Sequence, residues 1–81
     1  MPKTVQIQYF ALLRESAGRS KESWSTEAAT AEELYAEVRD RYGFLLETAN
    51  LRAAINDEFV EWSAPLHEGD EVVFIPPVAG G

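Results

Sequence analysis

The first stretch of the chain, residues 4–10, alternates between apolar and polar side chains with the period of two that is typical of a β-strand. Successive side chains of a strand point to opposite faces of the sheet. One face is wholly apolar and the other is mainly polar, with Val5, Ile7 and Tyr9 on the first and Gln6, Gln8 and Phe10 on the second. The pattern predicts a strand that covers a core on one side only.

A helix is predicted from residue 31 onwards. Thr30 and Glu33 have the spacing of a capping box, in which the two residues satisfy backbone N–H groups of the first turn. Apolar residues then recur at helical spacing, at Ala31, Leu34, Tyr35, Val38 and Tyr42. Gly43 is well placed to end the helix, since glycine adopts the left-handed conformation of a helix C-cap.

The other elements are shorter. Residues 11–18 have the character of a short helix or loop, and residues 22–26 form a weak strand around Trp24. Three further strands are predicted at 52–56, 59–62 and 71–75, with tight turns at Asp57-Glu58 and in the stretch 65–70. This order predicts an α+β fold, in which one main helix crosses a mixed sheet of about five strands. If the last strand lies beside the first, the fold is a β-grasp, the architecture of ubiquitin.

The same alternation predicts a surface. On the last strand Val72 and Phe74 share a face, which leaves Val73 and Ile75 on the other. If the first and last strands are neighbours, Phe10, Val73 and Ile75 form an exposed apolar patch, which Phe59 extends. Such patches commonly mark protein contacts. Alternatively, the short element at residues 11–18 covers them.

Composition excludes several classes of function. The chain has 81 residues, which predicts one domain, and a net charge of −7 argues against nucleic-acid binding but is compatible with a basic protein partner. There is no cysteine, so a disulfide, a thiolate nucleophile and a zinc-thiolate site are all excluded. No apolar run is long enough to span a membrane and the N-terminus lacks a signal-peptide pattern, so a cytoplasmic location is expected.

Most other polar and aromatic residues have ordinary explanations. His67 stands in a polar turn without enough partners for a metal site, and Trp24 and Trp62 are expected to pack in the core. The glutamates at 32, 33 and 37 are expected on the solvated face of the helix. No catalytic triad or phosphate-binding glycine loop is present.

The last residues carry the most specific signal. We expect a β-grasp domain at residues 1–75 and a flexible tail at residues 76–81, which reads Pro-Pro-Val-Ala-Gly-Gly. Two prolines stiffen the chain and cannot continue a sheet, and Val78 is an apolar anchor. Gly80 and Gly81 have no side chain, so this tail could enter a narrow channel and present the carboxylate of Gly81 at its end.

Four segments, YFALLRESAG, AAINDEFV, PLHEGDEV and FIPPVAGG, resemble the small subunits of molybdopterin synthase, the MoaD-like sulfur carriers. The resemblance implies that an adenylating, MoeB-like activating enzyme uses ATP to activate Gly81, which then becomes a thiocarboxylate. It implies sulfur donation to cyclic pyranopterin monophosphate on a large subunit, in a heterotetramer of two small and two large subunits. It implies no bound cofactor and no catalytic residue on this chain. Partner binding is expected at Phe10, Phe59, Val73, Ile75, Pro76, Pro77 and Val78.

Three alternatives remain open from the residues. The chain could carry sulfur for thiamin synthesis or tRNA thiolation, which changes the client but not the chemistry of the tail. It could be a ubiquitin-like modifier that Gly81 joins to lysines of target proteins. It could also be an interaction module in which Gly80-Gly81 is incidental, since glycine is common at chain ends.

Overall fold

The computed structural model describes residues 2–76, and Met1 and residues 77–81 lie outside that description. The elements in chain order are β1 (Lys3–Tyr9), α1 (Ala11–Ala17), β2 (Lys21–Thr26), α2 (Ala31–Tyr42), a 3₁₀ turn (Thr48–Asn50), β3 (Arg52–Ile55), β4 (Glu58–Val60) and β5 (Glu71–Ile75). The predicted division between a domain and a tail after residue 75 stays a prediction, because nearly all of that tail is outside the described residues.

The five strands form one mixed sheet in the order β2-β1-β5-β3-β4. β1 and β5 are parallel neighbours in the middle of the sheet, and the other neighbouring pairs are antiparallel. The first and last strands are therefore adjacent, as a β-grasp requires, and the predicted fold class is confirmed. Since β1 and β5 run the same way, both end at one edge of the sheet. We call it the tail edge, because residues 77–81 follow from it.

The predicted capping box at the start of α2 is present in a modified form. The Glu33 backbone N–H donates to the Thr30 hydroxyl oxygen at 3.2 Å, while the Glu33 carboxylate accepts from the backbone N–H of Ala29 at 3.0 Å. At the other end Gly43 takes a φ of 70° and donates its N–H to the Arg39 carbonyl at 2.7 Å. Both ends of this 12-residue helix are thus fixed where the sequence predicts, and the helix is about 18 Å long.

The core lies between α2 and one face of the sheet, which we call the inner face. The inward side chains of the two central strands are almost fully buried, namely Val5, Ile7, Tyr9, Val72 and Phe74. Tyr35 of α2 meets Phe74 edge to face with ring centroids 5.1 Å apart, and Trp62 stacks on the same ring at 6.0 Å. Trp24 also packs against the core, so both tryptophans are packing residues as predicted.

The β3–β4 hairpin differs from the prediction. The two turn residues are Asn56 and Asp57, with φ of 52° and 72°, and Ile55 pairs with Glu58 across the turn. β4 therefore starts one residue earlier than predicted and ends at Val60, before Trp62. Asn and Asp tolerate the left-handed region better than most residues, so a two-residue hairpin forms here without glycine.

The prediction that Glu37 lies on the solvated helix face is wrong. Its carboxylate accepts hydrogen bonds from Trp24 Nε1 at 3.1 Å and from the Thr26 hydroxyl at 2.7 Å. Both donors belong to β2, so Glu37 ties the helix to the outermost strand of the sheet. Periodicity alone did not separate this residue from Glu32, which is exposed.

Across residues 2–76, none of the helices combines the length and the apolar character that a bilayer crossing demands.

Candidate functional site

The face of the sheet that points away from α2, the outer face, contains the predicted patch. One cross-strand row runs over β1, β5, β3 and β4 and consists of Gln8, Val73, Ala54 and Phe59. A second row, nearer the tail edge, places Ile75 opposite Arg52. The sheet register therefore brings together residues from three separate parts of the sequence.

The outer face changes from polar to apolar along the strand direction. At the start of β5, Glu71 lies opposite Gln6. Two residues further on, Val73 is paired with Gln8 on one side and with Ala54 on the other, and Ile75 follows at the tail edge. We call the apolar half the outer patch, made up of Phe10, Ala54, Phe59, Val73 and Ile75. A gradient of this kind exposes apolar surface where the chain leaves the sheet toward Gly81.

A local backbone distortion accompanies Phe10 at the tail edge. Phe10 has extended dihedrals as the N-cap of α1, and Ala11 then takes a φ of 51°, in the left-handed region that alanine rarely adopts. The helix turns so that Leu13 is buried in the core on the α2 side. Phe10 remains 41% exposed, so α1 closes the core and leaves Phe10 accessible.

Phe59 and Arg52 form the other flank of the outer patch. Phe59 is 64% exposed, and the Arg52 guanidinium lies 4.7 Å above its ring, a cation–π arrangement. A mainly apolar groove of about 440 Å³ opens beside them and extends to Ile75 and Pro76. The groove thus leads from an aromatic side chain to the last residue that the structure describes.

The predicted partner-binding residues can be placed in part. Phe10 and Phe59 are exposed, Val73 and Ile75 are partly buried on the outer face, and Pro76 is buried at the end of the groove. The register places Val73 and Ile75 on the outer face of β5 and Phe59 on the same face of β4, with β3 between the two strands. Their role in binding stays a prediction. The remaining predicted site residues, Pro77, Val78, Gly80 and Gly81, lie outside the described residues.

Two exposed leucines were not selected from the sequence. Leu12 on α1 is 59% exposed and Leu45, after α2, is 95% exposed. Each stands next to a buried neighbour, Leu13 and Phe44 respectively, so hydrophobicity alone did not tell them apart. Leu45 belongs to the segment that packs on the α2 side, where the carbonyl of Leu46 accepts a hydrogen bond from the Tyr35 hydroxyl at 2.6 Å.

A second feature that the sequence did not predict is a carboxylate beneath the tail edge. Glu22 Oε2 accepts hydrogen bonds from the hydroxyls of Tyr9 at 2.5 Å and Tyr42 at 2.7 Å, and Arg19 lies 3.4 Å from Oε1. Burial, with the hydrogen bond to Glu22 second, raises the pKa of both tyrosines above the ordinary value, and the rise is large for Tyr9. Glu22 is two residues before Trp24 on β2, so the two side chains share the inner face. That alternation is the signal in the sequence that could have located the Glu22 carboxylate.

Other polar groups singled out from the sequence lie in the turn around His67. His67 is exposed with its Nδ1 3.9 Å from Asp70, and Asp70 accepts hydrogen bonds from the His67 backbone N–H and from Asn56 Nδ2. No group of three or more possible metal ligands occurs within those residues. What the described part of the chain presents is an apolar surface that reaches Pro76, at the start of the tail.

Comparison with known proteins covers nearly the whole chain. The family model described as the ThiS family matches residues 7–81. The chain belongs to the ThiS family. A curated relative, the molybdopterin synthase sulfur carrier subunit of Escherichia coli, is 38% identical over 80 residues, which is 95% of this chain and 99% of the relative.

Two solved structures are similar to this chain along nearly its whole length. The complex of subunits 1 and 2 of molybdopterin-converting factor from Helicobacter pylori contains a chain with a TM-score of 0.64 and 26% identity, covering 96% of this chain and 99% of that one. Small archaeal modifier protein 1 from Methanosarcina acetivorans has a TM-score of 0.81 and 23% identity, covering 100% of this chain and 99% of that one. The second likeness supports the fold alone, because that identity is low.

Proposed function

We propose that this chain is the sulfur-carrier subunit of molybdopterin synthase and acts in the cytoplasm in molybdenum cofactor biosynthesis. The observation that carries the proposal is the end-to-end similarity to a carrier of that name, 38% identical over 80 residues. The fold adds support, since a mainly apolar groove among residues 2–76 extends to Ile75 and Pro76, at the start of the tail. A carrier needs such an arrangement, because its partner must hold the domain while it receives the tail.

The reacting group in this proposal is the carboxylate of Gly81. A carboxylate is a poor acceptor for a nucleophile, so it must first be activated. Its oxygen attacks the α-phosphorus of ATP on the activating enzyme, which forms an acyl-adenylate and releases pyrophosphate. Hydrosulfide from the sulfur donor then displaces AMP, which gives the thiocarboxylate. Its sulfur bonds to a carbon of cyclic pyranopterin monophosphate, and water cleaves the acyl–sulfur bond and returns Gly81 to a carboxylate. Each carrier supplies one sulfur, so two carriers are needed for the dithiolene. Glycine suits this role because no Cβ shields the carbonyl carbon.

In this proposal the chain is a protein cosubstrate, and the catalytic residues belong to the large subunit. The sequence supplies no cysteine that could hold sulfur, which is consistent with sulfur carried on the C-terminal carboxyl carbon. The partners are the large synthase subunit, in a heterotetramer of two small and two large subunits, and a MoeB-like adenylating enzyme. The subunit complex from Helicobacter pylori supports the first partner by similarity.

Intact-mass measurement tests the proposal directly. The protein is incubated with the activating enzyme, ATP and a sulfur donor, and its mass is expected to rise by the difference between one sulfur and one oxygen. The increment should map to Gly81 and should be lost when Gly81 is deleted or when a residue is added after it. A chain that gains no mass, but becomes joined through Gly81 to lysines of other proteins, would instead be a modifier.

A further inference from the structure

The charges of this protein are unevenly distributed along the strand direction. Eight acidic residues cluster where β2 and β3 end and where β5 and α2 begin, at the edge opposite the tail edge, namely Glu27, Glu32, Glu33, Asp57, Glu58, Glu68, Asp70 and Glu71. Six of the seven basic residues lie toward the tail edge, namely Arg14, Arg19, Lys21, Arg39, Arg41 and Arg52. Five acidic residues accompany them there, namely Glu15, Glu22, Asp40, Glu47 and Glu61, so this edge is close to neutral. The net charge of −7 therefore does not describe the surface around the tail. The net charge alone therefore does not determine what charge a partner presents at the tail edge.

Two of these basic residues share the outer face with the outer patch. Lys21 of β2 pairs with Gln8 of β1, and Arg52 of β3 pairs with Ile75 of β5. The two cations therefore flank the apolar strip on β1 and β5. Three strand spacings separate β2 from β3, which puts the two backbones about 14 Å apart. A partner that covers the apolar strip must meet at least one of these cations.

Arg52 is the better positioned of the two. Its guanidinium is held 4.7 Å above the exposed Phe59 ring, and it lines the groove that reaches Ile75 and Pro76. Among residues 2–76 it has no carboxylate within 4.0 Å, whereas Arg19 and Arg39 lie within that distance of Glu22 and Glu47. A stacked guanidinium loses little conformational freedom when it binds, and its fork of N–H donors matches a carboxylate. Buried beneath a partner without a counter-charge, it would oppose binding.

We propose that Arg52 is a specificity-determining residue that receives a carboxylate of the large synthase subunit at the margin of the outer patch. The inference rests on the proposed function, because it takes the large subunit as the occupant of this face. The inference adds what the large subunit presents to this face. Its contact surface has an apolar centre against Phe10, Val73 and Ile75 and an acidic side chain opposite Arg52. A basic surface in that place would be rejected, so Arg52 selects among partners as well as adding affinity.

The test measures the affinity of Arg52 variants for the purified large subunit by calorimetry at low and moderate salt. Arg52→Leu retains an apolar side chain without the charge and is expected to bind about tenfold more weakly, the effect of losing a charge-assisted hydrogen bond. Arg52→Glu should weaken binding about a hundredfold, because like charges then face each other. Arg52→Lys should fall between the wild type and Arg52→Leu, since the charge remains but the planar fork is lost.

Arg41→Glu is the matched control, because it makes the same charge change on the exposed surface of α2, on the other side of the sheet. Arg41→Glu should alter affinity less than about twofold. In a separate check, the difference in affinity between wild type and Arg52→Leu should shrink as salt is added, because salt screens charges. Thermal unfolding checks that each variant is folded, and intact mass checks that Gly81 still takes up sulfur.

The outcomes separate this inference from the proposed function. If wild type and Arg52→Leu bind equally well and both take up sulfur, the carrier function stands and Arg52 has no part in recognition. If Arg41→Glu weakens binding as much as Arg52→Glu, only net charge matters and the inference is overturned. If the wild type neither binds the large subunit nor takes up sulfur, both proposals fail together.

Discussion

The inner and outer faces of the sheet are built from the same strands, whose successive side chains point alternately to one face and to the other. On β5, Phe74 points inward with no exposed surface and contacts the rings of Tyr35 and Trp62. Its neighbour Ile75 points outward and lies only partly covered beside a groove. Both are large and apolar, so hydrophobicity does not distinguish them. What distinguishes them is whether α2 supplies a partner, which it does for the inner face alone.

This division of apolar residues between two faces explains why an 81-residue chain can present apolar surface and still keep a packed core. Small domains bury a limited share of their surface, and every apolar side chain on the outer face is unavailable to the core. Here the aromatic side chains that hold the fold together are grouped on the inner side around Tyr9, Tyr35 and Phe74. Residues such as Phe10 and Phe59 are therefore free to serve a contact, and the two sets should respond differently to mutation.

The largest expected effect separates the two faces on one strand. Phe74→Ala should lower the free energy of unfolding by about 3–5 kcal/mol, because it leaves a cavity among packed rings. Val73→Ala, one residue earlier on the outer face, should cost no more than about 1 kcal/mol. Urea unfolding followed by circular dichroism measures both. Equal losses would show that the outer face is as tightly packed as the core, and the comparison would fail.

The next effect concerns binding. Phe10→Ala should weaken binding to the large subunit by about 2 kcal/mol, as truncation of an aromatic anchor commonly does. The stability of the domain should hardly change, since Phe10 is 41% exposed. Leu45→Ala is a suitable control, because Leu45 is 95% exposed but lies on the α2 side. A variant that loses stability and keeps affinity would place Phe10 in the core, and a loss with Leu45→Ala would extend the interface around the tail edge.

The alternation of side chains was enough to predict both faces of the central strands, because register and parity follow from the pattern itself. The alternation did not by itself predict that β1 and β5 are neighbours; that expectation came from the order of the elements, which fits a β-grasp fold. The pairing of Arg52 with Phe59 was missed, because it depends on how β3 and β4 lie side by side. The Glu22 cluster was missed for a similar reason, since Tyr42 reaches it across the core from α2. Contacts between distant segments are set by packing, which local patterns do not contain.

Alkaline pH should loosen the inner side and leave the outer patch unaffected. All three tyrosines have a pKa raised above 10.0, in each case chiefly by burial, and all three belong to or pack against the inner core. In the folded state they keep protons that the unfolded chain has lost, so stability that is full below about pH 10 falls as pH rises above it. Tyr9 alone should contribute a slope of about 1.4 kcal/mol per pH unit.

Unfolding free energies from urea titrations between pH 8 and pH 11 check this expectation, with tyrosine absorbance to follow ionisation (the pH range is set by the ordinary tyrosine pKa of about 10). Tyr42→Phe should make the slope shallower, because one titrating group is removed. Affinity for the large subunit should stay constant up to about pH 9, since no tyrosine lies in the outer patch. A slope that is the same with and without Tyr42 would mean that this tyrosine ionises as easily in the folded as in the unfolded chain.

The smallest expected effect is at the hairpin that places Phe59 on the outer face. Asp57 takes a φ of 72°, a conformation that glycine adopts without a steric penalty, so Asp57→Gly should raise the free energy of unfolding by about 0.5–1 kcal/mol. It also removes one charge from the acidic edge.

Glu58→Gly is the matched control: Glu58 is the first residue of β4, where glycine should cost about 0.5–1 kcal/mol instead. Urea unfolding distinguishes the two signs. Stabilisation by Asp57→Gly without a change in affinity would show that the turn contributes to the stability of the fold but takes no part in the contact. Destabilisation by both variants would instead mean that the Asp57 side chain itself holds the turn.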